Sequence, residues 1–206
     1  MPTSSSKHRN WLLAAAVVAI LGAEFSLIST LDFVQHLDRQ VHSMHCSFIP
    51  GGGAELGESG CRAAMLSPYS SYFRKQFWGG IPVSLWSLAL FAFLTFLSLS
   101  LALRTEIKRS ETVLAILAWA FPCGVCLVYG YLALTEVGQA CKVCVGIYFS
   151  SLAGLALAIL ANKANKASGP KVWLPAWGIW VALGVLNVGV FTLLYVTNAP
   201  KAEPKK

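Results

Sequence analysis

Five uninterrupted apolar runs, at 11–31, 81–103, 112–134, 141–161 and 172–196, dominate this chain of 206 residues. Each is long enough to cross a hydrocarbon core, which takes about 20 helical residues. Only Glu24, in the first run, and Lys142, at the start of the fourth, carry charge. A β-barrel would show short alternating segments, so continuous runs leave the helix as the backbone form that satisfies its own polar groups in lipid. Composition agrees, since 56 % hydrophobic and 12 % charged residues is far from the balance of a soluble domain. The net charge of +7 would suit a nucleic-acid binder, but the basic residues fall in short segments between apolar runs. Nucleic acid is therefore excluded as a partner, and membrane lipid takes its place. The expected fold class is an all-α integral membrane protein with five spans.

The first run follows Lys7 and Arg9 and contains Leu21-Gly22-Ala23, which resembles a signal-peptide cleavage site. It continues to Leu31, past the length of a signal-peptide core, and is read as a retained span. Sidedness follows from Lys and Arg. Segments 1–10, 104–111 and 162–171 hold eight in 28 residues, whereas 32–80, 135–140 and 197–206 hold seven in 65. The denser set faces the cytoplasm. The expected organisation is a cytoplasmic N-terminus at 1–10, a four-span bundle at 11–161 with a large outer loop at 32–80, a fifth, peripheral span at 172–196 and an outer tail at 197–206.

Four of the six cysteines then fall on one face. Cys46 and Cys61 lie in the outer loop, and Cys141 and Cys144 open the fourth span as Cys141-Lys142-Val143-Cys144. A CxxC at a helix N-terminus meets the positive end of the macrodipole, and Lys142 adds a cation, both of which favour a thiolate. The outer compartment is oxidising, so paired thiols there form disulfides. Three chemistries compete: dithiol redox exchange, a set of structural disulfides, and a Cys₄ metal site. The loop pair, with fourteen residues between its members, is unlike a tight zinc knuckle, and redox exchange is the favoured reading.

A cysteine pair in the first outer loop followed by a CxxC opening the fourth span resembles the vitamin K epoxide reductase family, specifically its bacterial disulfide-forming homologues. Further residues match the family pattern: Cys61-Arg-Ala-Ala-Met-Leu-Ser67, Gly80-Ile81-Pro82 at the entry to the second span, and Tyr148 four residues after Cys144. The loop spacing is longer than is typical of the family, and Ser87 stands where a glycine is common. The resemblance implies a quinone-dependent thiol–disulfide oxidoreductase in a bacterial inner membrane, with its site facing the periplasm. It implies Cys46, Cys61, Cys141 and Cys144 as catalytic residues, and Tyr148 and Ser67 as contacts to a quinone such as ubiquinone or menaquinone. Relatives often continue into a thioredoxin-like domain. Here the chain stops at the tail 199–206, so a separate thioredoxin-fold thiol protein is the expected partner.

In such a relay Cys46 exchanges with the partner and Cys61 with Cys141, which leaves Cys144 to face the quinone. Glycines between the loop cysteines are expected to let the loop swing. Tyr69, Tyr72, Phe73, Phe77 and Trp78 recur at helix-like spacings, with Arg74 and Lys75 off the stripe, and predict an interfacial amphipathic helix that anchors to the membrane surface or covers the site. Glu24 is an intramembrane carboxyl and hence a candidate proton donor, although a hydrogen-bonded structural role is favoured. Cys123 and Cys126 lie mid-span, Cys126 about 12 Å below Leu134 along the helix, and are read as packing residues too deep for exchange with the outer pairs. His36, His42 and His45 precede Cys46 at irregular spacing, and metal binding is the weaker reading. Asn187 is expected to bond a neighbouring helix.

Overall fold

The computed structural model describes residues 4–37, 67–74, 76–77, 79–104, 107–137, 141–165 and 174–198. Cys46, Cys61, His42 and His45 lie outside the described residues. Five helices follow the five runs: α1 (Ser4–Leu37), α2 (Val83–Ala102), α3 (Arg109–Leu132), α4 (Lys142–Ala164) and α5 (Leu174–Asn198). All five are long and apolar enough to cross a membrane. Helix boundaries differ from the hydropathy boundaries where backbone hydrogen bonding continues through polar residues. α1 runs beyond both ends of 11–31, so Asp32, expected at the start of a loop, is helical. α3 widens into a π-helical turn at Ala133–Val137. Cys141 is the extended N-cap residue of α4 and stands just outside the span it precedes.

Among these helices, α1 packs against α2 and α4, α3 against α4, and α5 against α2. In lipid, apolar side chains gain little by leaving their surroundings, so close backbone approach and interhelical hydrogen bonds hold a bundle together. Small residues permit that approach. Gly154 receives the ring of fully buried Trp119, and Gly22 receives Phe91. A Cβ at Gly146 would stand 2.9 Å from the Phe25 ring. Hydroxyls tie α1 to α2, with Ser26 Oγ 2.8 Å from Ser87 Oγ and Thr30 donating to Ser84 at 3.0 Å. Asn187 donates to the Ala89 carbonyl at 2.5 Å, as expected of a polar residue facing a neighbouring helix, and Trp86 donates to Thr192 at 3.2 Å.

The predicted amphipathic helix at 69–78 does not form. Instead, β1 (Ser71–Tyr72) pairs antiparallel with β2 (Ile81–Pro82) in a short hairpin. Phe73, Gly79 and Gly80 have φ of 58°, 69° and 81°, a left-handed conformation that a right-handed helix cannot accommodate. At Gly80 a side chain would collide with the Tyr72 carbonyl. Arg74 braces the turn, donating to the Ser67 carbonyl, to Ser70 Oγ at 2.8 Å and to Ser71 Oγ at 2.6 Å. Periodicity of aromatic residues alone could not distinguish this turn from a helix, because the left-handed conformation falls on Phe73 within the stripe and on the two glycines that follow it.

Candidate redox site

A cavity of about 530 Å³ opens beneath the hairpin between the helices. α4 contributes Cys141, Cys144 and Tyr148, one face of successive turns. α3 contributes Pro122, Cys126 and Tyr129, again at helical spacing. Ser84, Trp86 and Ser87 come from α2, Ser29 and Phe33 from α1, Val188 from α5, and Ser67, Ser70 and Tyr72 from the hairpin. The walls are mostly apolar, with hydroxyls at a few points. Tyr72 closes the hairpin side. Its ring stacks on Trp86 with centroids 5.2 Å apart, and its hydroxyl lies 3.0 Å from that of Tyr129.

The CxxC pair sits where α4 begins. Cys141 is 5 % exposed and packs with Val143 against Phe25, Ile28 and Cys144. The Cys144 thiol donates to the Cys141 sulfur and brings the Cys141 pKa down to about 7, against the opposing effects of burial and the Asp32 carboxylate. The amides of Val143 and Cys144 act in the same direction as the Cys144 thiol. No side-chain capping hydrogen bond forms there, so the amides contribute as oriented dipoles at the helix start. Lys142, expected to supply the positive charge, is exposed. Cys141 therefore ionises more readily than an ordinary thiol, as an attacking or leaving sulfur needs to.

The structure brings together Ser67, Cys141, Cys144 and Tyr148 around one cavity; Cys46 and Cys61 lie outside the described residues. Tyr72, named in the stripe expected to cover the site, does line it, whereas sequence reading missed several wall residues: Trp86, Tyr129, and the α2 hydroxyls Ser84 and Ser87, whose spacing of three on one helix face was the available signal. The mid-span pair divides. Cys123 is buried as filler, whereas Cys126, expected to be out of reach, lines the cavity with Cys144 and lies 3.4 Å from Ser151 Oγ. Depth along one helix was a poor guide because the cavity extends inward along the same axis. Glu24 is exposed and does not line the cavity. Among the described residues, no group of His, Cys, Asp and Glu is arranged to hold a metal.

The family model described as the vitamin K epoxide reductase family matches residues 13–159. The chain belongs to that family. No curated protein and no solved structure gives a significant match. Membership makes the protein a membrane oxidoreductase of the thiol–disulfide class. Vitamin K epoxide reductase family enzymes use quinone-type cofactors and generally work with thioredoxin-like partners. The cavity fits such a group. Its volume is in the range of small-molecule sites, its walls are apolar, and its hydroxyls are few and convergent. Tyr148, Tyr129, Ser84 and Ser87 would hold and orient the ring.

Proposed function

We infer that the protein is a quinone-coupled thiol oxidase that reoxidises a thioredoxin-fold partner. The observation that carries this reading is the opening of the Cys141–Cys144 pair directly into the cavity shared by Tyr148 and Ser67. Cys46 and Cys61 serve as the shuttle. Cys46 exchanges with the partner. The Cys61 thiolate attacks the Cys141 sulfur of the Cys141–Cys144 disulfide, and Cys144 leaves as a thiolate. Cys46 then attacks Cys61, restoring the loop disulfide and releasing Cys141. The lowered pKa of Cys141 favours its departure. A bound quinone supplies the two-electron, two-proton acceptor. Cys144 faces it, Tyr148 and Ser67 contact it, and the hairpin excludes water above it.

In this reading, four spans within 11–161 form the catalytic bundle, α5 is peripheral, the N-terminus is cytoplasmic and the site faces the periplasm of a bacterial inner membrane. The proximity of the pair to the cavity favours redox exchange over structural disulfides. The test is oxidation of a reduced thioredoxin-fold protein by the purified protein plus ubiquinone or menaquinone, followed by quinone absorbance and partner thiol titration. One quinone consumed per partner disulfide formed is expected. Disulfide formation with no quinone loss would overturn the coupling.

A further inference from the structure

Among the described residues, Asp32 is the buried carboxylate at the Cys141 end of the bundle, and the relay above does not use it. It is 2 % exposed, and burying a carboxylate is costly enough that a compensating role is the first thing to look for. Its position on α1 identifies its neighbours. Phe25, Ile28 and Asp32 follow at intervals of three and four, which places them on one helix face. Phe25 and Ile28 pack against Cys141 and Val143. Asp32 is the next turn of that face, at the level where α4 begins. Leu31 beside it is exposed, and Phe33 turns into the cavity, so the inward direction of Asp32 is set from both sides.

We propose that Asp32 is a positioning residue whose charge sets how readily the Cys141–Cys144 pair gives up its electrons. This rests on the redox role of the pair proposed above. When the pair is oxidised, two thiols become one S–S bond and release two electrons and two protons to the quinone. Anything that stabilises the Cys141 thiolate stabilises the reduced pair and makes it a stronger oxidant, slower to pass electrons onward. The Cys144 thiol and the α4 amides push in that direction; burial and, to a smaller extent, Asp32 push back. The carboxylate thus keeps the reduced pair from becoming an electron trap. Among the described residues, the other ionisable groups around Cys141 are Cys144 and Tyr148 on α4, Cys126 and Tyr129 on α3, and Tyr69 and Tyr72 at the hairpin. Arg74 is engaged by Ser67, Ser70 and Ser71, Lys142 is exposed, and α2 presents no ionisable group to the cavity.

The test compares the wild-type protein with Asp32→Asn and Asp32→Glu in lipid nanodiscs. Cys141 alkylation by iodoacetamide in the reduced protein is followed against pH by peptide mass spectrometry. The wild-type midpoint should be about 7. In Asp32→Asn it should fall by about one pH unit, the size of effect a nearby like charge produces, and Asp32→Glu should restore it. In glutathione buffers at pH 8 the reduced pair of Asp32→Asn should be about tenfold more stable, about 30 mV more oxidising. Asp32→Ser replaces Asp32→Asn if the amide does not assemble. An unmoved midpoint in a folded neutral variant, or a midpoint that falls equally in Asp32→Glu, overturns the proposal. Alkylation requires no quinone turnover, so this outcome is separable from failure of the oxidase reading.

Discussion

The end of the bundle that carries Cys141, here called outer, and the opposite, inner end of the same helices are built on opposite principles. In the inner half Leu12, Leu97, Leu101, Leu114, Ala161 and Trp180 form a continuous buried cluster. Polar staples close it: Arg104 pairs with Glu111 and lies over the Trp180 ring, Thr112 donates to Asn162 at 2.7 Å, and Asn165 donates to the Ile107 carbonyl at 3.2 Å. In the outer half the buried cluster shrinks to Cys141 and Val143, and a cavity of about 530 Å³ takes the place of core. There hydroxyl pairs join the walls. The bundle therefore concentrates close packing at one end and leaves room for chemistry at the other. Mutations should sort accordingly, with stability lost inward and turnover lost outward.

The largest effect is expected at the CxxC pair. Cys144→Ser should reduce turnover by at least about a thousandfold, since a relay without one of its sulfurs has no alternative route. The melting temperature in detergent should stay close to wild type. The variant should also accumulate a Cys61–Cys141 disulfide, formed when the Cys141 thiolate attacks Cys61 of the loop disulfide and expels Cys46, because no Cys144 thiol remains to displace Cys61 from Cys141. After cleavage in the glycine-rich stretch and again at 104–111, the fragment with Cys61 should stay joined to the fragment with Cys141 until reductant is added. Trapping by Cys141→Ser instead would exchange the roles of the two sulfurs. A large fall in melting temperature would show that the outer half is a packed core after all.

The converse variant is Gly154→Leu, in the tightly packed region. Trp119 already fills the space that any side chain at 154 would enter, and overpacking of this kind costs about 1–3 kcal/mol. Thermal unfolding should shift downward while the residual folded fraction keeps its alkylation profile at Cys141. Unchanged unfolding would mean that α3 and α4 can separate at little cost, removing the distinction between the halves.

The five helices were legible because hydropathy over about 20 residues is a strong local signal. Their ends were not. The first span was expected to stop at Leu31, which put Asp32 in a loop, but the helix continues and buries that carboxylate. The CxxC at the start of α4 was legible from spacing, and Tyr148 and Ser67 through family resemblance. Trp86, Ser84 and Tyr129 were not, because cavity walls are assembled from several helices whose rotation no single segment reveals. The hairpin was misread for a related reason. Its aromatic residues recur as in a helix, while the left-handed conformation falls on Phe73 among them and on Gly79 and Gly80 beyond them.

The smallest expected effect comes from the pair that straddles the two regimes. Cys123 is buried against the packed helices, whereas Cys126 lines the cavity and lies within hydrogen-bonding distance of Ser151. Cys123→Ala removes one buried sulfur and should cost stability, about 1 kcal/mol, with turnover unchanged. Cys126→Ala removes a weak hydrogen bond, but Ser151 keeps its bond to the Ile147 carbonyl at 2.9 Å, so no buried donor is stranded and the cost should be smaller still. Its effect should instead appear as a change in quinone KM of up to about threefold, because the thiol is part of the wall rather than part of the core. The double variant should turn over within about threefold of wild type, with the two single effects nearly additive, since one acts on packing and the other on ligand contact. Quinone KM and unfolding temperature measured on all three variants separate the contributions. Collapse of turnover in the folded double variant would mean that the cavity holds a third working sulfur pair. Equal losses of stability from the two single variants would move the boundary between core and cavity outward past Cys126.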